Sequence, residues 1–434
     1  MFGNCSGLTT LDVSNFNTSN VTNMQSMFGN CSGLTTLEVS NFNTSKVTNM
    51  NSMFGKCSGL TTLDLSNFDT SQVTRFGTYS GYSYGGMFEN CTNLENIDMS
   101  NWNTSKATSF VRMFIGCSKL TSLDISNFNT SSATDMGDMF NNCKSLTTLN
   151  VSNFDTSNVT SMYQMFSSCS GLTTLDLSKF DTSNVTNMHN MFNTCSSLTT
   201  LDVSNFNTSN VTDMVGMFGF CNSLTTLDVS KFDTSKVTGM AYMFQTCSGL
   251  ITLDISNFNT SSVKSMGNMF DACTSLTTIY VSEFNSETNT GWTTSAVTNS
   301  SNMFSSCTKI VGGNGTTFNS SYTDKTYAVI DTAETPGYLT NINGNQQVNR
   351  LISASSVAAT RAYLKGTIKK NKIETIEFKL GKEQPEGTAE IFDASEKQDE
   401  SIIGYYTDTD GNNLYELTFA SDEVIATNKN AQYL

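Results

Sequence analysis

The sequence predicts a repeat solenoid followed by a small β-rich segment, and three observations carry that prediction. Cysteines fall at 5, 31, 57, 91, 117, 143, 169, 195, 221, 247, 273 and 307, a step of 26 broken twice by a step of 34, so all 12 are one column of a repeat. Of the 21 methionines, 20 occupy two further columns, opening at Met1 and Met24; Met99 stands apart at a strand position. Between these columns the wording barely changes from coil to coil, as in Leu34-Thr35-Thr36-Leu37-Glu38-Val39-Ser40-Asn41-Phe42-Asn43-Thr44-Ser45.

Within one coil, Leu34, Leu37 and Val39 follow the L-x-x-L-x-L spacing of a leucine-rich-repeat strand. Period two places Leu37 and Val39 inward and Glu38 outward. The Ser-Asn-Phe-Asn-Thr-Ser stretch is dense in side chains that bond their own backbone and predicts a tight turn. Val21, Met24, Phe28 and Cys31, spaced i, i+3, i+7, i+10, predict a short α or 3-10 helix started by Ser19. The expected architecture is a right-handed leucine-rich-repeat array of twelve coils over 1–311, each a short parallel strand plus a short helix. One coil buries almost nothing alone; stacking gives a continuous core.

At L-x-x-L-D-[VLI]-S-x-F-[ND]-T-S-x-V-T-x-M-x-x-M-F-x-x-C the chain resembles the BspA-like leucine-rich-repeat surface proteins of bacteria. The resemblance covers residues 1 to about 311, and the wording from Asp64 to Ser71 makes it specific. It implies a multi-modular protein, exported or held at the cell wall, that serves adhesion and host contact. Phage and mycoplasma proteins carry the same repeat, so the resemblance leaves the source open.

Two coils depart from the period. Eight extra residues give RFGTYSGYSYGG at 75–86, and eight more give NSETNTGWTTSA at 285–296. Aromatic and glycine residues in an excursion from a regular scaffold suit partner binding, which nominates Phe76, Tyr79, Tyr82, Tyr84 and Trp292. The competing expectation is that the tyrosines fold back and fill a packing gap. Residues 312–341 resemble the family's array-closing cap. From 342 to 434 lysine and glutamate rise, and Thr375 to Leu380 alternates as a strand; Asp410-Gly411 marks a hairpin. In related chains such a segment leads into a following array, so the sequence is expected to be one period of a longer tandem protein.

Composition narrows the function classes. A net charge of −15 repels phosphate backbones and anionic membrane surfaces. No run approaches the roughly 18 apolar residues of a spanning helix, and no basic stretch followed by an apolar run marks a signal peptide. The cysteine column, Cys5, Cys31, Cys57, Cys91, Cys117, Cys143 and onward, reads as a ladder of buried thiols: in-register neighbours present the wrong dihedral for a disulfide, and no C-x-x-C pair suggests a metal. The outward acidic column stacks like charges about 5 Å apart and needs compensation. Hydrogen bonds from its own turn, at Ser14, Asn15 or Thr18 in the first coil, are the simpler source. Calcium is the alternative, at Asp64 with Asp69, Asp176 with Asp181, and Asp228 with Asp233. No other cofactor is expected. His189, the one histidine, sits in a variable slot with no nucleophile or carboxylate arrangement beside it in sequence, and no motif for phosphate binding, zinc or a hydrolase nucleophile occurs.

The expected function is therefore a non-enzymatic extracellular scaffold whose long polar face contacts a host or cell-surface protein or glycan. A fibre or stalk of modules joined end to end, with neighbouring copies as partners, is the alternative.

Overall fold

The computed structural model describes residues 1–79 and 85–342 and, as backbone only, four strands at 373–380, 390–393, 403–407 and 415–421. The chain divides into two compact units, Met1–Asn341 and Ile342–Leu434. No helix among the described residues is long and apolar enough to cross a membrane.

In the first unit the strand side keeps the alternation: Leu37 and Val39 are buried and Glu38 is exposed. Strands are short: β1 (Thr62–Asp64), β2 (Gly77–Thr78), β3 (Gly85–Gly86), β4 (Asn96–Asp98), β5 (Thr252–Asp254), β6 (Thr278–Val281) and β7 (Leu339–Asn341). β1 pairs with β4, and β5 with β6 and then β7, all parallel and in register from coil to coil.

The opposite side is not helical. Among the described residues the one helical turn is the 3-10 turn Lys325–Tyr327. Instead the chain runs through successive tight turns, and alternate N–H groups serve different coils. Met27, Gly29 and Cys31 donate to Met24, Ser26 and Phe28 three residues back, while Ser26, Phe28 and Asn30 donate to Asn51, Met53 and Gly55 of the next coil. Left-handed residues make this possible, twice in most coils, as at Ser26 (φ 50) and Asn30 (φ 60). The spacing that predicted a helix is satisfied by this turn ladder because helices pack about 8–10 Å apart. Here the phenylalanine rings of neighbouring coils lie 5.5–5.9 Å apart, too close for two helices side by side.

Those rings form one column from Phe2 through Phe28, Phe54 and Phe88 to Phe304. From Cys31 onward the thiols are buried, and each donates to the carbonyl of the preceding coil's phenylalanine, Cys57 Sγ to Phe28 O at 3.0 Å for example. They are therefore donors as well as small apolar groups. Burial pushes the Cys57 thiol up to about 12.

A buried threonine adds a second internal bridge. Thr234 donates through Oγ1 to Asn259 O (2.9 Å) and accepts Asn259 N–H (2.8 Å), standing in for a backbone pair across the coils. Thr18, assigned from sequence to the acidic corner of its own turn, makes this inter-coil bridge to Asn43 instead. Ser19 caps no helix; its N–H and hydroxyl donate to Asn17 Oδ1.

The far end of the stack is closed by residues 312–341. Tyr338 is fully buried, meets the last ring, Phe304, edge-on at 5.2 Å, and exchanges hydrogen bonds with Asn319. Asp331, also fully buried, accepts from Asn314 N–H, Thr316 N–H, Thr316 Oγ1 and Gly337 N–H. Burial alone would raise its carboxyl; these bonds outweigh it and hold the group below its ordinary value.

The second unit contains a four-stranded sheet of β8 (Ile373–Leu380), β9 (Glu390–Asp393), β10 (Ile403–Thr407) and β11 (Tyr415–Ser421), in the order β8-β11-β10-β9. β8 covers the predicted strand at 375–380. β10 and β11 flank Asp410-Gly411 and pair antiparallel; the turn between them lies outside the described residues.

Candidate functional site

The strand side and its corners are chemically uniform. Asp12, Asp64, Asp98, Asp124, Asp176, Asp202, Asp228 and Asp254 each accept, through Oδ1, the N–H of the serine two residues on. Asn17, Asp69, Asp181, Asp233 and their equivalents repeat this corner five residues later. The charge ladder is compensated locally. At Asp202 the serine hydroxyl and N–H lower the carboxyl and outweigh the repulsion from Asp176. Within each pair proposed for calcium, the two carboxylates belong to separate corners, and no group of three or more metal-ligating side chains occurs among the described residues. A hollow of about 480 Å³ on this side, walled by Glu38, Asp64, Asp98 and Asp124, presents only acidic charge.

The turn side is where the coils differ. In six consecutive coils one position holds Val111, Gly137, Tyr163, His189, Val215 and Ala241, and the next holds Arg112, Asp138, Gln164, Asn190, Gly216 and Tyr242. Two more vary as freely: Ile115, Asn141, Ser167, Asn193, Gly219, Gln245, then Gly116, Asn142, Ser168, Thr194, Phe220, Thr246. The phenylalanine and cysteine flanking them never change in those coils. The signal for this face in the sequence is four variable positions inside an invariant frame, visible when the coils are written beneath one another.

The insertions are largely structural where described. Phe76 is fully buried, stacked on Trp102 and Phe110, and is not available to a partner. Trp292 is 5% exposed, with Nε1 donating to Ala328 O; it fastens the closing cap and is likewise no contact residue. Both face inward because each stands in an interior column: Arg75 pairs in register with Asn49, which puts Phe76 in the column of Met24 and Met50, and Thr293 pairs with Thr260 as Asn259 does with Thr234, which puts Trp292 in the column of Phe258. Tyr79 is half-buried and folds back, donating to Asp138 Oδ2 at 2.9 Å and meeting Tyr163 edge-on. Tyr82 and Tyr84 lie outside the described residues.

The base of the first insertion is the two-residue antiparallel pair β2–β3. Gly77 and Gly86 sit so close to Val111 O and Arg112 O that a Cβ at either would overlap the carbonyl. Beneath them Arg112 pairs with Glu89 at 2.9 Å and approaches Asp138 at 4.0 Å. Burial raises the Asp138 carboxyl, opposed by Asn141, Tyr79 and Arg112.

His189 is not the isolated solvated residue its sequence neighbours suggested. It stacks on Tyr163 at 5.2 Å, and Nδ1 lies 3.2 Å from Asp213 Oδ2. Asp213 is 24 residues away but in the next coil, a proximity that only the repeat register reveals. Burial works against the Asp213 charge, and bonds from His189 and Val215 N–H outweigh it, holding the carboxyl below its usual range.

Further along the same side, Phe220 and Tyr242 are 37% and 44% exposed. Both occupy left-handed backbone, φ 60 and 61. Gly216 and Gly219, both buried, let the preceding coil's asparagines lie against the main chain beside them: Asn190 Oδ1 lies where a Gly216 Cβ would stand, and Asn193 Nδ2 donates to Gly216 O. On the next coils Gln245 Nε2 donates to Asp271 Oδ2 at 3.0 Å.

Stacked, in-register coils with an invariant interior and a variable outer face define a repeat solenoid. The chain belongs to the family described as Mycoplasma protein of unknown function, DUF285, whose model matches residues 1–79, 82–176, 134–226, 171–282 and 221–337. Among solved structures, the functional domain of InlJ from Listeria monocytogenes, described as including a cysteine ladder, is 16% identical over 63% of this chain and 67% of that one. Its TM-score of 0.16 is too low to carry an argument. A search of the curated proteins finds no match.

Proposed function

We propose that this protein is a non-enzymatic extracellular scaffold, like the BspA-like proteins its repeat resembles, that adheres to a host or cell-surface protein or glycan through its turn side. The observation that carries this reading is the confinement of variety to one face. Interior, corner and strand residues repeat because each coil must fit its neighbours, whereas four turn-side positions per coil, exposed or half-buried in some coils and buried in others, are released from repetition. A rigid frame presenting many different side chains at fixed spacing suits recognition by several weak contacts acting together. The resemblance supplies the extracellular setting.

The test is retention of mammalian cells on a surface coated with the full chain. Adhesion that falls when residues 77–84 are deleted or the turn-side residues of 189–245 are exchanged supports the proposal. A coat that retains no cells, or retains them equally after both changes, contradicts it. Calcium enters as a separate arm: the corner hydrogen bonds lead us to expect the same adhesion in millimolar calcium and in chelator.

A further inference from the structure

We propose that the shelf formed by Asn190, Asn193, Phe220, Tyr242, Gln245 and Asp271 is a binding site for a neutral glycan. The inference rests on the adhesive reading of the turn side and assigns that side a ligand class.

Two unfavourable choices coincide at the aromatic pair. A bulky side chain in left-handed backbone is an outlier that costs on the order of 1 kcal/mol or more, and the equivalent positions in other coils mostly hold asparagine, serine, threonine or glycine. Exposing the rings to water forfeits the burial that would ordinarily justify them. No packing role offsets either cost, since Phe220 and Tyr242 stand outside the core. Such a combination is retained where a ring face is needed for contact.

The surroundings select the ligand. The main chain here is engaged between coils: Phe220 N–H donates to Gln245 O, Tyr242 N–H to Gly267 O, and Gln245 N–H to Tyr242 O. An extended peptide adding itself as a strand would find these donors already used. What remains is two ring faces, the Gln245–Asp271 pair, and the amides of Asn190 and Asn193, which lie close over Gly216 and Gly219, the latter amide already bonded to Gly216 O and Thr194 Oγ1. Apolar ring faces beside planar amide and carboxylate groups complement a pyranose, which offers C–H groups on its faces and hydroxyls around its rim. Charge disfavours the acidic classes: the shelf carries Asp271 with Asp213 nearby, no lysine or arginine lies among 189–222 or 239–263, and the chain is −15 overall.

The experiment applies the full chain to an array of neutral glucose-, galactose- and N-acetylhexosamine-based oligosaccharides with their sialylated and sulfated counterparts. Its control is the double variant Phe220→Asn, Tyr242→Asn. Asparagine tolerates left-handed backbone, so the variant should melt at or above the parent's temperature while its signal on the neutral sugars drops at least tenfold. An overturning result is no binding to neutral sugars, a preference for sialylated or sulfated ones, or undiminished binding by the folded double variant. Should the variant fail to fold, Asn193→Ala and Asp271→Ala read the same loss away from the strained backbone. Cell adhesion in parallel separates this inference from the one beneath it: adhesion that persists on cells stripped of glycans overturns the sugar and leaves the adhesive reading standing.

Discussion

Two sides of the same coil obey different rules. Phe166, Cys169 and Thr182 recur because each must fit a neighbouring coil: Phe166 stacks on its copies Phe140 and Phe192, Cys169 donates to Phe140 O, and Thr182 bridges to Asn207. Tyr163, Gln164, Ser167 and Ser168, in the same turn, meet different residues in the next coil and tolerate difference. Repetition in this molecule is thus a record of coil-to-coil fit, and its absence marks freedom to do something else.

That contrast can be broken most forcefully at the ring column. Phe166→Ala opens a cavity between Phe140 and Phe192 and should cost about 3–5 kcal/mol, read as a lowered denaturant midpoint of the array. Thr234→Val keeps the shape and removes the hydroxyl that pairs with both Asn259 N–H and Asn259 O, so about 1–3 kcal/mol should be lost in the same measurement.

Acid should act on the corners and on the cap. Asp64, Asp176, Asp202 and Asp331 have carboxyls held below the ordinary 3.8 in the folded state. The unfolded chain binds protons first as pH falls, so their contribution is complete above that value and is lost as pH drops below it through the lowered folded values. Melting temperature should therefore hold near neutral pH and decline below about 4, with Asp331→Asn flattening part of the decline. Smallest of all is the effect of calcium: with each corner carboxylate already accepting an N–H, millimolar calcium and chelator should give the same melting temperature, and a clear upward shift would restore the metal reading.

Much of the frame was legible in the sequence because it is periodic. The Leu37 and Val39 alternation and the inward cysteine column follow from spacing; the closing role of 312–341 was implied by the family resemblance. The helix over 21–31 did not follow, since i, i+3, i+7 spacing reports only that one face is buried; the closeness of the neighbouring coil, which forbids a helix, is invisible in a single repeat. Phe76 and Trp292 were misplaced for a related reason. Aromatics beside an insertion suggest exposure, but in register Phe76 replaces a column methionine and Trp292 a column phenylalanine, so both belong to the interior. The His189–Asp213 contact and the Phe220–Tyr242 shelf span neighbouring coils and are found only by writing the coils beneath one another.

Stability lies in the repeated residues and is nearly independent of the variable ones. The direct measurement is equilibrium denaturation of the full chain carrying His189→Tyr, Asn190→Gln, Asn193→Ser and Thr194→Ser, which gives one coil the turn-side residues of the coil before it. The account predicts a midpoint within about 1 kcal/mol of the parent, as for ordinary surface changes. A loss on the scale of Phe166→Ala would contradict it.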